Sequence, residues 1–277
     1  MKRYFINNGE LDVHITEWGN KNKPVIFCLH GLGSTSLSFI EIAEHLKDEY
    51  RLISIDAPGH GKTLPLETAE DYEMPRLVMW LNELFDQLEI HQFYFLSHSW
   101  GSFVSLFYLA KYPERVKGSI LIDGGYQSKR HQEQTMEEEV AYYHKDFEEN
   151  VDTWTEFLEI VNGDFRKLSP YTEIYAEDLV LKKDSKYYWH ARGVTAGNII
   201  KAMHKHDIED IFESLPSTIL LLRATLPERM DEYRNKTAKI FKEKTNGLVK
   251  LIPDTTHMLH WDNPQVVVEE IRKSWSI

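Results

Sequence analysis

A buried strand that turns directly into a helix around a serine constrains the fold of this chain more than any other feature. Residues 93–106 read FYFLSHSWGSFVSL, and the second apolar segment continues to about residue 111. The first part is short enough for a buried strand, and the second is long enough for a helix. So sharp a turn needs small residues two positions either side of its apex, and Ser97 and Gly101 flank Ser99 in this way. The pattern is typical of a strained turn that exposes a nucleophilic serine.

Length and charge exclude several classes of function. The chain has 277 residues, enough for one large α/β domain or a core domain with an insertion. Its 32 Lys and Arg against 44 Asp and Glu give a formal charge of -12, which argues against nucleic acid or an anionic membrane as a partner. Cys28 is the single cysteine, so no disulfide framework is possible. Because residues 1–10 lack the apolar core of a signal peptide, we expect a cytoplasmic protein.

Apolar runs alternate with amphipathic segments along most of the chain. Residues 3–6 and 11–18 predict a hairpin at a sheet edge, with its turn at residues 7–9. The uniformly apolar run at residues 25–29 predicts a central parallel strand covered on both faces. Further strands are predicted at residues 51–55, 93–96, 117–122, 217–225 and 248–252. The alternation predicts an α/β fold with a mostly parallel sheet and helices on both faces.

The composition changes in the middle of the chain. Residues 127–210 are charged and aromatic, with Trp154 and Trp189 among them, and show no convincing buried strand. We interpret this stretch as an inserted helical cap. The predicted core domain is then made of residues 1–126 and 211–277, and the aromatic residues of the cap either line a pocket or hold the cap together.

Four motifs follow one another in a fixed order. HGLG at residues 30–33 follows one predicted strand, DAPGHG at residues 56–61 follows the next, Ser99 marks the sharp turn, and His257 lies in a loop after the last strand. In this order the chain resembles, over nearly its whole length, the α/β-hydrolase superfamily, in its serine-nucleophile, esterase- and lipase-like branch with a helical cap. The resemblance implies a small-molecule acyl substrate and no metal or organic cofactor.

The chemistry of such a site explains the residue types. A serine hydroxyl is a poor nucleophile at neutral pH and needs a base within hydrogen-bond reach. His257 is the candidate base, because the pKa of a histidine is near the working pH. An oxyanion that develops on the acyl group needs preorganised N–H donors. The resemblance implies that these are the backbone amides of Leu32 and Trp100.

The acid that orients the histidine has two candidates. The superfamily usually places it after the strand that follows the cap, but residues 224–227 read ATLP, and Glu228 and Asp231 are the nearest carboxylates. Other members carry the acid at the end of the strand after the serine, which is Asp123 here. Carboxyl ends of neighbouring parallel strands meet at one edge of the sheet, so we favour Asp123 and keep Glu228 as the alternative.

Other polar residues have simpler interpretations. We expect His98 to point away from Ser99, His260 to pack or face solvent, and Asp56 and His60 to shape a turn. His204, His206 and Asp207 lie in a charged stretch without a supporting ligand pattern, so a solvated helix end is favoured over a metal site.

These observations lead to two hypotheses of function. The first is a carboxylesterase-like serine hydrolase acting on a small, largely apolar ester, thioester, lactone or amide. By the resemblance, Ser99 disfavours the haloalkane dehalogenase and epoxide hydrolase branches, which use an aspartate there. Carbon–carbon bond hydrolases, cofactor-free haloperoxidases and a lyase of the menaquinone-pathway type stay open. The second hypothesis is a small-molecule sensing or binding protein on a hydrolase scaffold, motivated by the missing acid at the usual position.

Overall fold

A mostly parallel sheet forms the centre of the structure, a computed structural model that describes residues 1–9 and 11–275. The strands of these residues, in chain order, are β1 (Lys2–Asn8), β2 (Leu11–Trp18), β3 (Val25–Leu29), β4 (Arg51–Ile55), β5 (Phe93–His98), β6 (Val116–Ile122), β7 (Asn150–Val151), β8 (Val180–Lys183), β9 (Lys186–Trp189), β10 (Ile219–Ala224) and β11 (Leu248–Ile252). Eight of them form one sheet in the order β1-β2-β4-β3-β5-β6-β10-β11. The β1–β2 and β2–β4 pairs are antiparallel and all other pairs of this sheet are parallel, as the apolar runs predict.

Helices of the described residues cover both faces of this sheet or belong to the segment between β6 and β10. They are α1 (Ile40–Leu46), α2 (Met74–Gln87), α3 (Trp100–Lys111), α4 (Met136–Asp146), α5 (Trp154–Gly163), α6 (Thr172–Leu179), α7 (Gly193–Lys205), α8 (Asp231–Thr245), α9 (Leu259–Asp262) and α10 (Pro264–Ser274). Successive residues of a strand point to opposite faces. Phe27 of β3 packs in a cluster with residues of α2, α3 and α8, while Cys28 packs in another with residues of α1 and α10. The predicted fold class is confirmed. Among the described helices, none combines the length and apolar composition that a membrane span requires.

The edge hairpin is present, but its turn lies further along the chain than predicted. Asn7 and Asn8 belong to β1 and pair with Asp12 and Leu11 of β2. The Asn7 side chain also donates a hydrogen bond of 2.9 Å to Asp12, which extends the strand pair beyond the predicted turn. Gly9 follows β1 at this turn and has a φ of +72°. Glu10 lies outside the described residues.

The segment between β6 and β10, which we call the cap, is not entirely helical. Besides α4 to α7 it contains a small antiparallel sheet in the order β7-β9-β8, which the sequence does not predict. Most side chains of these strands are exposed or half-buried, so they lack the continuous apolar run of a buried strand. A 3-10 helix, Ile208–Ser214, spans the predicted boundary at residue 210, and the division into two domains stays a prediction.

Buried polar contacts attach the cap to the core. The Tyr175 hydroxyl of α6 lies 2.7 Å from the Ser34 hydroxyl in the loop after β3. Asp178 of the same helix accepts a hydrogen bond of 2.6 Å from Arg3 of β1 and pairs with Lys62. The contact with Ser34 places α6 directly beside the loop that begins at the carboxyl end of β3.

Candidate active site

Ser99 lies at the apex of the turn between β5 and α3. Its φ of 52° and ψ of -119° are strained for a residue with a side chain, and its amide donates a hydrogen bond of 3.1 Å to the Ile122 carbonyl of β6. A Cβ on Gly101 would come within 2.3 Å of the Leu29 carbonyl oxygen, so only glycine lets α3 approach β3 this closely. Ser97 needs no glycine, because its hydroxyl is accommodated 3.0 Å from the Ser105 hydroxyl of α3.

The structure brings Ser99, His257 and Asp123 into one chain of hydrogen bonds. His257 Nε2 lies 2.8 Å from Ser99 Oγ, and His257 Nδ1 lies 2.8 Å from Asp123 Oδ2. Asp123 directly follows β6, the neighbour of β5, and has a φ of 41°. The Asp123 side chain is 1% exposed, whereas that of His257 is 45% exposed. The carboxylate is thus buried behind the histidine, whose ring is partly exposed to solvent.

Four donors surround the Asp123 carboxylate. Its Oδ1 accepts hydrogen bonds of 3.1 Å from the Ala224 amide and from the Tyr126 hydroxyl. Its Oδ2 faces His257 and also Arg234 Nη2 at 3.5 Å. Burial acts to raise the pKa of Asp123, but the hydrogen bond from His257, the charges of His257 and Arg234 and the Ala224 amide together hold it below its usual value. Asp123 is therefore an ionised carboxylate.

Glu228 and Asp231 lie outside this group of contacts. Glu228 is exposed and begins the 3-10 helix Glu228–Met230, and the described hydrogen bonds of His257 do not include it. Asp231 pairs instead with Arg223 and Asn235.

The loop that carries His257 is fixed by main-chain contacts. The Thr255 carbonyl accepts hydrogen bonds from the amides of Thr225 and Leu226, at 3.2 and 2.9 Å. His98 Nε2 donates to the His257 carbonyl at 2.8 Å. This contact of His98 with the loop has no signal in the sequence beyond its position beside the serine.

Two buried histidines pack against each other beside His257. The His98 ring lies 4.8 Å from the His257 ring and 4.4 Å from the His260 ring, between centroids. Burial, followed by the charges of the other histidines, lowers the pKa of His98 far below its ordinary value and that of His260 to about 3. Both side chains are therefore neutral near pH 7, and His260 Nε2 lies 2.8 Å from the Ser38 hydroxyl.

The two predicted oxyanion donors, the amides of Leu32 and Trp100, belong to segments that adjoin Ser99. Trp100 is the first residue of α3, and its amide donates to no acceptor within the described residues. The HGLG loop packs against the serine, since a Cβ on Gly31 would lie 3.0 Å from the Ser99 Cβ. Leu32 follows directly in that loop and is half-buried.

The cap covers this loop with apolar side chains. Leu32 packs against a small cluster that contains Phe147, Ala191 and Ala196, with Trp189 at its edge. A Cβ on Gly33 would come within 2.7 Å of the Phe147 ring, so the ring lies directly on the loop. The cap wall above this loop is therefore largely apolar and aromatic.

The remaining polar candidates have protein partners. Asp56 lies 2.7 Å from His14 and accepts hydrogen bonds from the amides of Ser36 and Lys62. His60 is buried and stacks on Trp100, with ring centroids 5.5 Å apart. The partners of His204, His206 and Asp207 are Glu139, Glu73 and Ser128, respectively. In the part of the chain that the structure describes, no three His, Cys, Asp or Glu side chains form a potential metal-binding group.

A mostly parallel sheet, helices on both faces and a serine at a sharp strand-to-helix turn define the class of the α/β hydrolases. The sequence profile of the α/β hydrolase fold family matches residues 24–264, and the chain belongs to this family. It is accordingly a hydrolase of the α/β-hydrolase type.

Relatives and solved structures of several activities are similar to the chain. A Bacillus subtilis (strain 168) protein, named as a candidate 2-succinyl-6-hydroxy-2,4-cyclohexadiene-1-carboxylate synthase, is 34% identical over 107 residues, 39% of each chain. This match thus spans well under half of that relative. Epoxide hydrolase 4 of Mus musculus is 23% identical over 95% of this chain and 76% of its own. The crystal structure of E-2-(acetamidomethylene)succinate hydrolase has a TM-score of 0.80, with 17% identity over 100% of this chain and 99% of its own.

Proposed function

We propose that the protein is a serine hydrolase that cleaves a small, largely apolar ester, thioester, lactone or amide through an acyl-enzyme on Ser99. The observation that carries this proposal is the continuous hydrogen-bond chain from Ser99 through His257 to Asp123, with both contacts of the histidine at 2.8 Å. Serine, base and acid are the parts that acyl transfer requires.

The mechanism follows from which atoms face each other. The Asp123 carboxylate accepts a hydrogen bond from the Nδ1–H group of His257, which leaves a lone pair on His257 Nε2 facing the Ser99 hydroxyl. Ser99 Oγ attacks the acyl carbon while His257 takes its proton, and His257 returns that proton to the leaving group. A water molecule activated by His257 then releases the acyl group. General base catalysis of this kind contributes roughly 10²–10⁴-fold to the rate.

The amides of Leu32 and Trp100 are the proposed donors to the oxyanion. Two features support this role: the Trp100 amide is free at the N-terminus of α3, and the loop that contains Leu32 packs against Ser99. The positive end of the α3 helix dipole also points at the developing charge. Loss of one such donor costs about 10²–10³ in rate in other enzymes.

The substrate class rests on the wall formed by the cap. Phe147 and Trp189 supply large apolar surface beside Leu32, which favours an apolar acyl or alcohol group. The relatives named above include an epoxide hydrolase, but a serine at position 99 favours acyl transfer over epoxide opening. A missing acid after β10 motivates the alternative of a binding protein, whereas the contact of Asp123 with His257 supports the hydrolase, because it supplies a carboxylate from another strand end.

A fluorophosphonate probe tests the proposal directly, because it reacts with activated serines. We expect the wild type to be labelled at Ser99 with a stoichiometry of about one, and Ser99→Ala not to be labelled. Asp123→Asn should slow labelling by about 10²–10⁴-fold, while Glu228→Gln should react at the wild-type rate.

Each alternative result has a defined meaning. Slow labelling only in Glu228→Gln would keep the serine hydrolase and overturn the assignment of Asp123. Folded wild-type protein that is not labelled would contradict the proposed function and favour a binding protein.

A further inference from the structure

We propose that Arg234 is a positioning residue of this site, which holds the Asp123 carboxylate turned toward His257 and disfavours uptake of a proton by the Asp123–His257 pair. The inference deepens the proposed function and rests on it. Arg234 touches no reacting atom, so it acts through Asp123 alone.

The contacts of Arg234 fix its guanidinium at the carboxylate. Arg234 belongs to α8 and is 5% exposed. Its Nη1 donates a hydrogen bond of 2.6 Å to the Leu226 carbonyl, and its Nη2 lies 3.5 Å from Asp123 Oδ2. In the described part of the chain, Asp123 is the one carboxylate within ion-pair distance of Arg234. Oδ2 is also the oxygen that faces His257, so the guanidinium acts on the atom that orients the imidazole.

The other donors to Asp123 are neutral. Tyr126 and the Ala224 amide both bond to Oδ1, and neither carries a charge. A buried carboxylate without a compensating charge is costly, and an arginine side chain is always protonated. Among the direct contacts of Asp123, Arg234 is therefore the permanent cation.

Charge balance gives the direction of the effect. With Arg234 present, the charges of the buried carboxylate and guanidinium sum to zero, and a proton on the half-exposed His257 creates a net positive charge on these three side chains. Without Arg234, the same proton neutralises a negative charge. Removal of the guanidinium must therefore make the pair easier to protonate. Since a protonated His257 is no base, the acid limb of the reaction would move to higher pH.

Among the described groups around the Asp123–His257 pair, Arg234 is the one that combines a permanent positive charge with a direct contact with Asp123. The titratable or charged groups that face the pair are Ser99 and His98 from β5, His260 from α9, Tyr126 after β6, Arg223 from β10, and Asp164 from the cap, whose charge interacts with that of His257. His98 and His260 are neutral, and Arg223 forms an ion pair with Asp231.

Two readouts test the proposal on full-length Arg234→Gln, Arg234→Met and Arg234→Lys. The first is the pH midpoint of the acid limb of fluorophosphonate labelling. The second is the pH midpoint of the ring resonances of His257 in NMR spectra, and this measurement needs no catalysis. The resonances are assigned by their absence in His257→Gln. We expect both midpoints to rise by about one pH unit in Arg234→Gln and Arg234→Met, and to stay near the wild-type value in Arg234→Lys.

Arg115→Met is the matched control. Arg115 also bonds to a carboxylate, Asp86, and to a main-chain carbonyl, that of Ile90, but belongs to the 3-10 helix Pro113–Arg115 and makes no contact with Asp123 or His257 among the described residues. Its removal should leave both midpoints unchanged. Unchanged midpoints in folded Arg234→Gln, or an equal rise in Arg234→Lys, would overturn the proposal. A raised NMR midpoint together with an unlabelled wild type would support the action of Arg234 and contradict the proposed hydrolase function.

Discussion

Gly124 is the residue on which the position of Ser99 depends most directly. A Cβ at this position would lie 2.3 Å from the Ser99 carbonyl oxygen and 2.6 Å from its Cα and its amide nitrogen. These are backbone atoms of a turn already held at a φ of 52°, so they cannot move aside as a flexible side chain would. The strained serine therefore requires a neighbouring strand end without a side chain.

We predict that Gly124→Ala displaces Ser99 from His257. Fluorophosphonate labelling should slow by at least about tenfold, and the free energy of unfolding should fall by about 1–3 kcal/mol. Rate measurements and urea unfolding would test this.

Gly163→Ala is the control for that substitution, because a Cβ there meets nothing within 4 Å. It should leave the labelling rate unchanged and should not lower the free energy of unfolding. Normal labelling of Gly124→Ala would show that the turn tolerates a Cβ and that our account of its strain is wrong.

The acid shows the limit of sequence reasoning at this scale. The order of predicted strands suffices to favour Asp123 over Glu228, because β5 and β6 are expected to be neighbours. The contact itself depends on the register that pairs His98 with Ile122 and on the φ of 41° at Asp123. Neither is encoded in a local pattern, and Arg234 and Tyr126 reach Asp123 from elements whose packing no periodicity specifies.

At the scale of elements, the loop after β11 is held by β5 as well as by its own strand. His98 ends β5 and donates to the His257 carbonyl at 2.8 Å, so the strand that carries the serine also fixes the histidine. This contact therefore helps to fix the position of His257 relative to Ser99.

We expect His98→Leu to slow labelling by roughly 10–10²-fold, because the histidine loop loses its hydrogen bond and a displacement of about 1 Å has effects of this size. His98→Gln can restore a donor and should recover most of the rate. Thermal unfolding of both variants distinguishes misplacement from misfolding. Equal rates in His98→Leu and the wild type would rule out this role.

The cap illustrates why some elements escape prediction. Strands β8 and β9 are joined at Asp184 and Ser185, which both have a positive φ, of 50° and 60°. Such turns are recognised from Asn-Gly or Asp-Gly pairs, which this one lacks. Helix α10 is the opposite case: Asn263 accepts a hydrogen bond from the Val266 amide, and an Asn followed by a Pro is a local pattern typical of a helix start.

At the scale of the whole molecule, buried neutral histidines determine how the fold responds to acid. Burial, the largest cause, lowers the pKa of His60 and of His260 to about 3, and that of His98 far below its ordinary value. In the unfolded chain each would titrate near pH 6.5. Below that pH the unfolded state binds more protons than the folded state, so acid favours unfolding.

The contribution of these histidines to the free energy of unfolding should therefore be constant above about pH 6.5 and should fall as the pH is lowered toward 3. Each buried histidine adds a slope of about 1.4 kcal/mol per pH unit. Urea unfolding between pH 7.5 and 4.5 measures the slope. His260→Gln should reduce the slope by about 1.4 kcal/mol per pH unit, which corresponds to one proton. His91→Gln, at an exposed position, is the control. An unchanged slope in His260→Gln would contradict the neutral buried state of His260.

The position of the cap within the chain has a consequence for how such a protein is made and diversified. Ser99 and Asp123 both precede the cap, and His257 follows it. During synthesis, Ser99 and Asp123 leave the ribosome before the cap, and under the proposed function Ser99 gains its base only after β11 has docked. The side chains that cover Leu32 belong to the cap, whereas Ser99 and Asp123 follow β5 and β6 of the central sheet. Substitutions in the cap therefore change the wall above Leu32 without changing the sequence of the two strand ends that hold Ser99 and Asp123.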